Sequence, residues 1–387
     1  MSMKRTIVGL LIILLMTSTA FAGNVYPTKN TDQKEIEEIT NSFFAEKEQT
    51  FLSNNIFNVA KYSNPVDAEK IKKESSVKLF EYEKKIRNDN ISDISNEKLE
   101  HTINSITITG DKAIAKCYEY YEYTYKNDPI RSSRGTEYQI TLIKRNNKWE
   151  ILEISTNNEL ENLLAQTEDT SRKYIFDLEE EPTEEEDFYK KTNVTKGTTH
   201  AYNRARAAQY ALDYSSSSSG TGEYNSNFPS FTWDCQNFAS QCVWYGLGGI
   251  NEPNAISNKN KPMITATGRK WYCSSQSSNT SSWTVVGNFR NYVVSESEGE
   301  EGIYGIRYAV GNAEKAQKGD IIQIRNSSGT WHHSYVINNV TGTYGSRTIS
   351  NLYVCAHTAN RKNENLSIVL GGDTANFRLI RINGTRY

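Results

Sequence analysis

Between Asp177 and Asp187 the chain reads Asp-Leu-Glu-Glu-Glu-Pro-Thr-Glu-Glu-Glu-Asp, eight carboxylates around Pro182. No core accepts such a run. Like charges this dense repel one another and stay solvated, so the segment predicts an extended linker, with one folding unit on each side of it. Calcium capture would need the ligand spacing of an EF-hand loop, which is absent. The expected organisation is a signal segment over 1–22, an accessory domain over 23–165, an acidic linker over 166–200 and a second domain over 201–387.

The first 22 residues carry an address. Lys4 and Arg5 precede an apolar run from Ile7 to Met16, and Ala20-Phe21-Ala22 gives an A-x-A cleavage pattern, so export and a mature start near Gly23 are expected. The apolar stretch is about half of the ~20 residues that a spanning helix needs. No cysteine precedes Cys117, so no lipid-bearing cysteine follows that cleavage site. The expected location is extracellular or at the cell wall, without membrane insertion after cleavage. Losing Lys4 and Arg5 takes the formal charge from −2 to −4, which gives no electrostatic footprint for nucleic acid. The 24 tyrosines and 6 tryptophans suit a cleft that holds a polymer, and equally a set of β-rich cores.

In the first domain Ile36, Ile39, Phe43, Phe44 and Phe51 recur at helical spacing from Thr31 onward, and a second helix is predicted from Val66 to Arg87, with Ile71, Leu79, Tyr82 and Ile86 inside. The period then changes. Ile106 and Ile108 alternate with threonines, and Ala113 to Tyr125 reads as a long strand. Tyr138, Ile140 and Leu142 alternate before an Asn146-Asn147 turn and a last strand from Trp149. Two helices followed by an antiparallel meander make an α+β domain, similar in element order to the cone-like NTF2 fold. His101, its only histidine, reads as a solvated or satisfied residue.

The second domain opens with a helix from Tyr202 to Tyr214 and a loop over Ser215 to Gly220. A helix is predicted to start at Cys235, and strands at Asp320–Arg325, His333–Val340, Leu352–Thr358 and Phe377–Ile382. Helices first and antiparallel strands last is the order of a papain-like α+β core. Asp234 is a good N-cap residue and Gly248 or Gly249 a good helix stop. Cys235 then falls in a first turn, where unpaired N–H groups and the positive end of the helix dipole favour a thiolate. Those amides, with Asp234 and Gln236 flanking the nucleophile, can support an oxyanion. Five cysteines leave at least one free thiol unless chains pair, and Cys235 and Cys242 lie about 10 Å apart along a helix, too far for a disulfide.

A base must come from His200, His332, His333 or His357. His200 lies toward the linker. His332 and His333 open one strand and point to opposite faces, so they are poor joint ligands for a metal. His333 shares its face with Tyr335 and Ile337 and is the favoured base, while His332 shares its face with Val336. His357 follows Cys355 on one strand face and is the expected orienter of the imidazole, with Asn360 and Asp373 as fallbacks. No serine-nucleophile elbow, zinc-hydrolase motif or cofactor motif is present, and no metal is expected.

Tyr202-Asn203-Arg204, Ala207-Ala208, Tyr210-Ala211, Asp234-Cys235-Gln236-Asn237-Phe238, Ser240-Gln241, Gly319-Asp320-Ile321-Ile322-Gln323, His333-Ser334 and His357-Thr358 form an ordered set. In this set, residues 200 to 387 resemble the putative amidase domain family of secreted Gram-positive proteins, grouped with the papain-like superfamily of CHAP and NlpC-type cell-wall peptidases. The resemblance implies a cysteine hydrolase acting on amide bonds, with Cys235 as nucleophile and His333 as base, and with a cell-wall peptide or protein amide as substrate. Where the family continues His-Thr with a polar residue and an aspartate, this chain has Ala359 and Asn360, which leaves the third position open. The alternative from another class is a catalytically inactive papain-like module that binds wall polymer or a surface.

Overall fold

A computed structural model describes residues 31–158 and 199–386, apart from 54, 56, 90–93, 127–129, 216–223, 250–257, 266, 295–301, 309, 327–328 and 371–376. The expected export signal, the expected linker up to residue 198 and Asp373 lie outside the described residues. The protein is mixed α+β, built on one large antiparallel sheet.

In the N-terminal unit the first predicted helix forms as α1 (Thr31–Phe51), with Ile36, Phe43, Phe44 and Phe51 buried at the expected spacing. The second breaks into α2 (Pro65–Ile71) and α3 (Ser75–Asp89). The break is held by a later strand at Ile154: Ser76 Oγ donates to the carbonyl of Ile154 at 2.9 Å, and Glu74 Oε2 accepts from the amide of Ile154 at 2.9 Å. The meander follows as β1 (Ile94–Thr109), β2 (Lys112–Tyr125), β3 (Arg131–Arg145) and β4 (Lys148–Thr156). Asn146 and Asn147 take φ of 49° and 60°, the left-handed pair that a tight hairpin needs. One face of this meander closes on α1 through Ala115, Ile140, Leu142 and Ile151.

The C-terminal unit starts with β5 (Thr199–Ala201), α4 (Arg204–Asp213) and α5 (Cys235–Gly246). A short ribbon, β6 (Met263–Ile264) with β7 (Lys270–Trp271), leads to α6 (Ser281–Thr284), α7 (Val286–Val293) and β8 (Gly302–Arg307). Five strands follow: β9 (Ile321–Arg325), β10 (Trp331–Val340), β11 (Leu352–Ala356), β12 (Arg361–Asn365) and β13 (Phe377–Arg386). The strand order β1-β2-β3-β12-β11-β10-β9-β13-β5 places both units in one 11-stranded sheet, with β4 on β3 and β8 on β13.

The C-terminal half of that sheet is covered on both faces. Val336, Cys355, Ile321 and Ile380 pack against Phe238, Ala239 and Cys242 of α5. Tyr335, Ile337, Ile322, Ile324 and Val354 fill the opposite face under Ile349, Leu366 and Leu370. The Gly319-Asp320 pair ties the sheet to α4. Gly319 takes φ +79°, and its carbonyl accepts the Tyr202 hydroxyl at 2.8 Å. Asp320, fully buried, meets the guanidinium of Arg204 and accepts the Gln317 amide at 2.9 Å. Burial pushes its carboxyl up, against the pull of Arg204 and Arg381. Among the described residues no helix is long and apolar enough to cross a membrane.

Candidate active site

Helix α5 begins at Cys235, whose side chain is buried at 6% exposure. Asp234 precedes it but does not act as the side-chain cap that its residue type predicts. With φ −98° and ψ −4° it makes no side-chain cap bond to the helix. Its carboxylate turns inward instead. Oδ1 accepts from the Phe231 amide and from Asn237 Nδ2, both at 2.9 Å, and Oδ2 lies 2.6 Å from His357 Nδ1. The Asp234 side chain therefore does not cap the first turn of α5.

His357 is not placed to orient a second histidine. Its Nδ1 meets Asp234, and its Nε2 lies 2.5 Å from the carbonyl oxygen of Tyr214. Both ring nitrogens of His357 are thus occupied by partners within the fold. Phe238 stacks on the ring at 4.1 Å, and Tyr224 meets it edge-on at 4.6 Å. Burial, and then the charge of Asp234, pushes the Tyr224 hydroxyl up to about 12. Asn360 is turned elsewhere, its Nδ2 donating to the hydroxyl of Tyr118. Both expected candidates for the third position, His357 and Asn360, are engaged with other partners.

The histidine pair stands at an irregular start of β10. Trp331 pairs with Arg325 and His333 with Ile324, so the register slips by one residue between them. Such a bulge re-aims side chains and breaks the alternation on which the sequence argument rested. Cys235 Sγ lies 3.9 Å from the carbonyl oxygen of His332, which puts the thiol against the peptide that joins the two histidines. His333 is buried at 4% exposure, with its ring 4.5 Å from Tyr335 and 6.3 Å from the His332 ring. Tyr335 belongs to the apolar layer on the sheet face away from α5. The companions that favoured His333 are buried, but on that far face, because both faces of β10 are core.

Ser334 and Gln323, neighbours across β10 and β9, point to α5. Gln236 Oε1 accepts from Ser334 Oγ at 2.6 Å and from Gln323 Nε2 at 3.3 Å, while its Nε2 donates to Ser240 Oγ at 3.2 Å. Arg378 then donates to Gln323 Oε1 through Nε at 3.0 Å and Nη2 at 2.7 Å. The side chains of Asp234 and Gln236 thus lock the helix start in place. Gln323, Ser334 and Arg378 were not singled out from the sequence as site residues. The available signal was a glutamine inside the apolar run Ile321-Ile322-Gln323-Ile324, since a polar group buried there must have partners.

None of the five cysteines forms a disulfide, and all five are buried. Burial raises the thiol of Cys117 to about 12, of Cys273 to about 12 and of Cys355 to about 11, and holds Cys242 well above its ordinary value. Among the described residues no three His, Cys, Asp or Glu side chains converge as a metal site would require. No curated protein and no solved structure matches the chain. Residues 201–380, from the end of β5 into β13 and including Asp234, Cys235, His333 and His357, match the family model described as a putative amidase domain, and in this part the chain is similar to an amidase.

Proposed function

We propose that the protein is a secreted cysteine hydrolase that cleaves amide bonds in cell-wall peptides, with Cys235 as nucleophile. The observation that carries the reading is the thiol of Cys235 at the first turn of α5, 3.9 Å from the backbone of a paired histidine at the start of β10. The similarity of residues 201–380 to an amidase domain supports the reaction class, and the helix-first, sheet-last order supports a papain-like ancestry. The order α1 to α3 and then β1 to β4 supports an NTF2-like accessory unit in the same way.

In this mechanism the histidine takes the thiol proton, and the thiolate attacks the amide carbon. The carbonyl oxygen gains the negative charge and is met by backbone amides of the first turn. The imidazolium returns the proton to the leaving amine, so the C–N bond breaks and a thioester remains. A water molecule, deprotonated by the same imidazole, then releases the acid and restores the thiol.

The base is drawn from the pair at the bulge. His333 is the residue that the His-Ser motif names. One observation favours His332 instead: alternation from Ser334 backward places the His333 ring beside Tyr335, on the face away from α5. Trp233, 75% exposed and two residues before the nucleophile, offers a ring face to substrate at the site mouth. The N-terminal signal pattern supports export.

Digestion of purified peptidoglycan by the mature protein, read by mass spectrometry, tests the function. New amino and carboxyl termini that disappear in Cys235→Ala are expected. An unchanged digest together with no trapping of Cys235 by a thiol-reactive probe would leave the inactive binding module as the better reading.

A further inference from the structure

We propose that Tyr118, on β2 of the N-terminal unit, is a positioning residue for the candidate active site, acting through the turn His357-Thr358-Ala359-Asn360. The proposal rests on the reading of Cys235 as nucleophile. It gives the accessory unit a defined task at that site.

The turn joins β11 to β12 and is held from two sides. At its leading end, His357 Nδ1 meets Asp234 at 2.6 Å, and the Asp234 amide donates to Thr358 Oγ1 at 3.3 Å. This end grips the residue immediately before the nucleophile. At its trailing end, the Gly135 amide donates to the carbonyl of Asn360 at 2.9 Å, and Asn360 Nδ2 donates to the Tyr118 hydroxyl at 3.3 Å. This end is held by the N-terminal unit.

The seam continues along β12. Arg361 and Lys362 pair with Arg134 and Ser133 of β3, and Ser132 Oγ donates to the carbonyl of Asn363 at 2.8 Å. Arg134 lies between Glu83 at 3.2 Å and Glu364 at 3.5 Å. Burial opposes its charge, but the two carboxylates outweigh that effect and raise its pKa. The junction is therefore fixed in register by strand pairing and by buried charges that need one another.

Gly135 shows how closely Tyr118 is built in. A Cβ at position 135 would overlap the Tyr118 hydroxyl, so the ring occupies the space that any side chain there would need. Tyr118 is itself 4% exposed. The path from its hydroxyl to Cys235 runs through four residues of turn and one carboxylate. Misplacing a reacting group by about 1 Å can cost on the order of a hundredfold in rate, so a support at this distance from the thiol has leverage on it.

The test uses the mature full-length chain and iodoacetamide as the probe of Cys235. Tyr118→Phe keeps the ring over Gly135 and removes only the hydroxyl that accepts from Asn360. We expect the rate of Cys235 alkylation at a given pH to change by about two- to tenfold, the size of one buried hydrogen bond, with the pH profile displaced accordingly. Asn360→Ala should reproduce the displacement, and the double variant should not exceed either single change. Tyr62→Phe is the control: it also removes hydroxyl contacts of the N-terminal unit, to the Ser42 carbonyl at 2.8 Å and to Glu46 Oε2 at 2.9 Å, and should leave the profile unmoved. Superposition of the Tyr118→Phe and wild-type profiles overturns the proposal, and so does an equal displacement by Tyr62→Phe. Alkylation reads the surroundings of Cys235 whether or not it turns over substrate. Amide hydrolysis surviving in Cys235→Ala would therefore refute the enzymatic reading without deciding this one.

Discussion

His357 Nδ1 and Asp234 Oδ2 stand 2.6 Å apart with neither side chain reaching solvent, although 123 residues separate them in the chain. The contact ties the turn after β11 to the start of α5. Removing one partner of a buried hydrogen bond typically costs about 1–3 kcal/mol, because the other is left unsatisfied. His357→Ala and Asp234→Ala are each expected to lower the unfolding free energy in denaturant by an amount of that order. Their double-mutant cycle should give a coupling above about 1 kcal/mol. Strict additivity would mean that the two groups do not act as a pair.

Cys235 differs from the other thiols in its surroundings. Burial holds Cys117 and Cys273 up to about 12 and Cys355 up to about 11, so these groups stay neutral and unreactive through pH 7 to 9. Peptide mapping after brief exposure to iodoacetamide should find Cys235 modified first, and Cys235→Ala should abolish turnover with little change in melting temperature. Equal labelling of all five thiols would falsify the nucleophile assignment.

The bulge between Trp331 and His333 makes the choice of base an experimental question with a clean answer. Loss of the true base should lower turnover by roughly 10²–10⁴. It should also move Cys235 alkylation to higher pH, because the cation that stabilises the thiolate is lost. Single alanine variants at 332 and 333 are to be compared by the pH dependence of alkylation. A displacement in His333→Ala alone supports the motif assignment, and a displacement in His332→Ala alone transfers the role to the bulged residue.

The acidic run between Asp177 and Asp187 is the expected site of first proteolytic attack, since eight carboxylates there cannot be buried together. The pairing of β3 with β12 and the placement of Arg134 between Glu83 and Glu364 add that the two fragments should stay together after the cut. Size-exclusion chromatography of the nicked protein should show one co-eluting species, and Arg134→Ala should weaken it. A C-terminal fragment starting near residue 202 that separates freely and melts at the temperature of the intact chain would contradict this.

Taken alone, the sequence determined the elements whose side chains carry their own periodicity. α1 follows from Ile36, Phe43 and Phe44, the meander from its alternating tyrosines and isoleucines, and the bounds of α5 from the aspartate before Cys235 and the glycines at 248 and 249. It also predicted Cys355 and His357 on one strand face; both contact α5 in the fold, but β11 ends at Ala356 and His357 lies in the turn after it. What it left undecided depended on partners distant in the chain. β12 reads Arg-Lys-Asn-Glu-Asn, with no apolar signal, and it becomes a central strand only because β3 supplies a backbone partner and Arg134 a counter-charge. The inward turn of Asp234 was hidden for the same reason: a lone aspartate before a helix reads as a cap until a histidine from another strand comes within reach. Nor could periodicity assign the two histidines, since the sheet is buried on both faces and a one-residue slip interrupts the alternation where they stand. Local pattern sets which residues form helix or strand, whereas the pairing of buried polar groups is settled only when the strands that carry them are brought side by side.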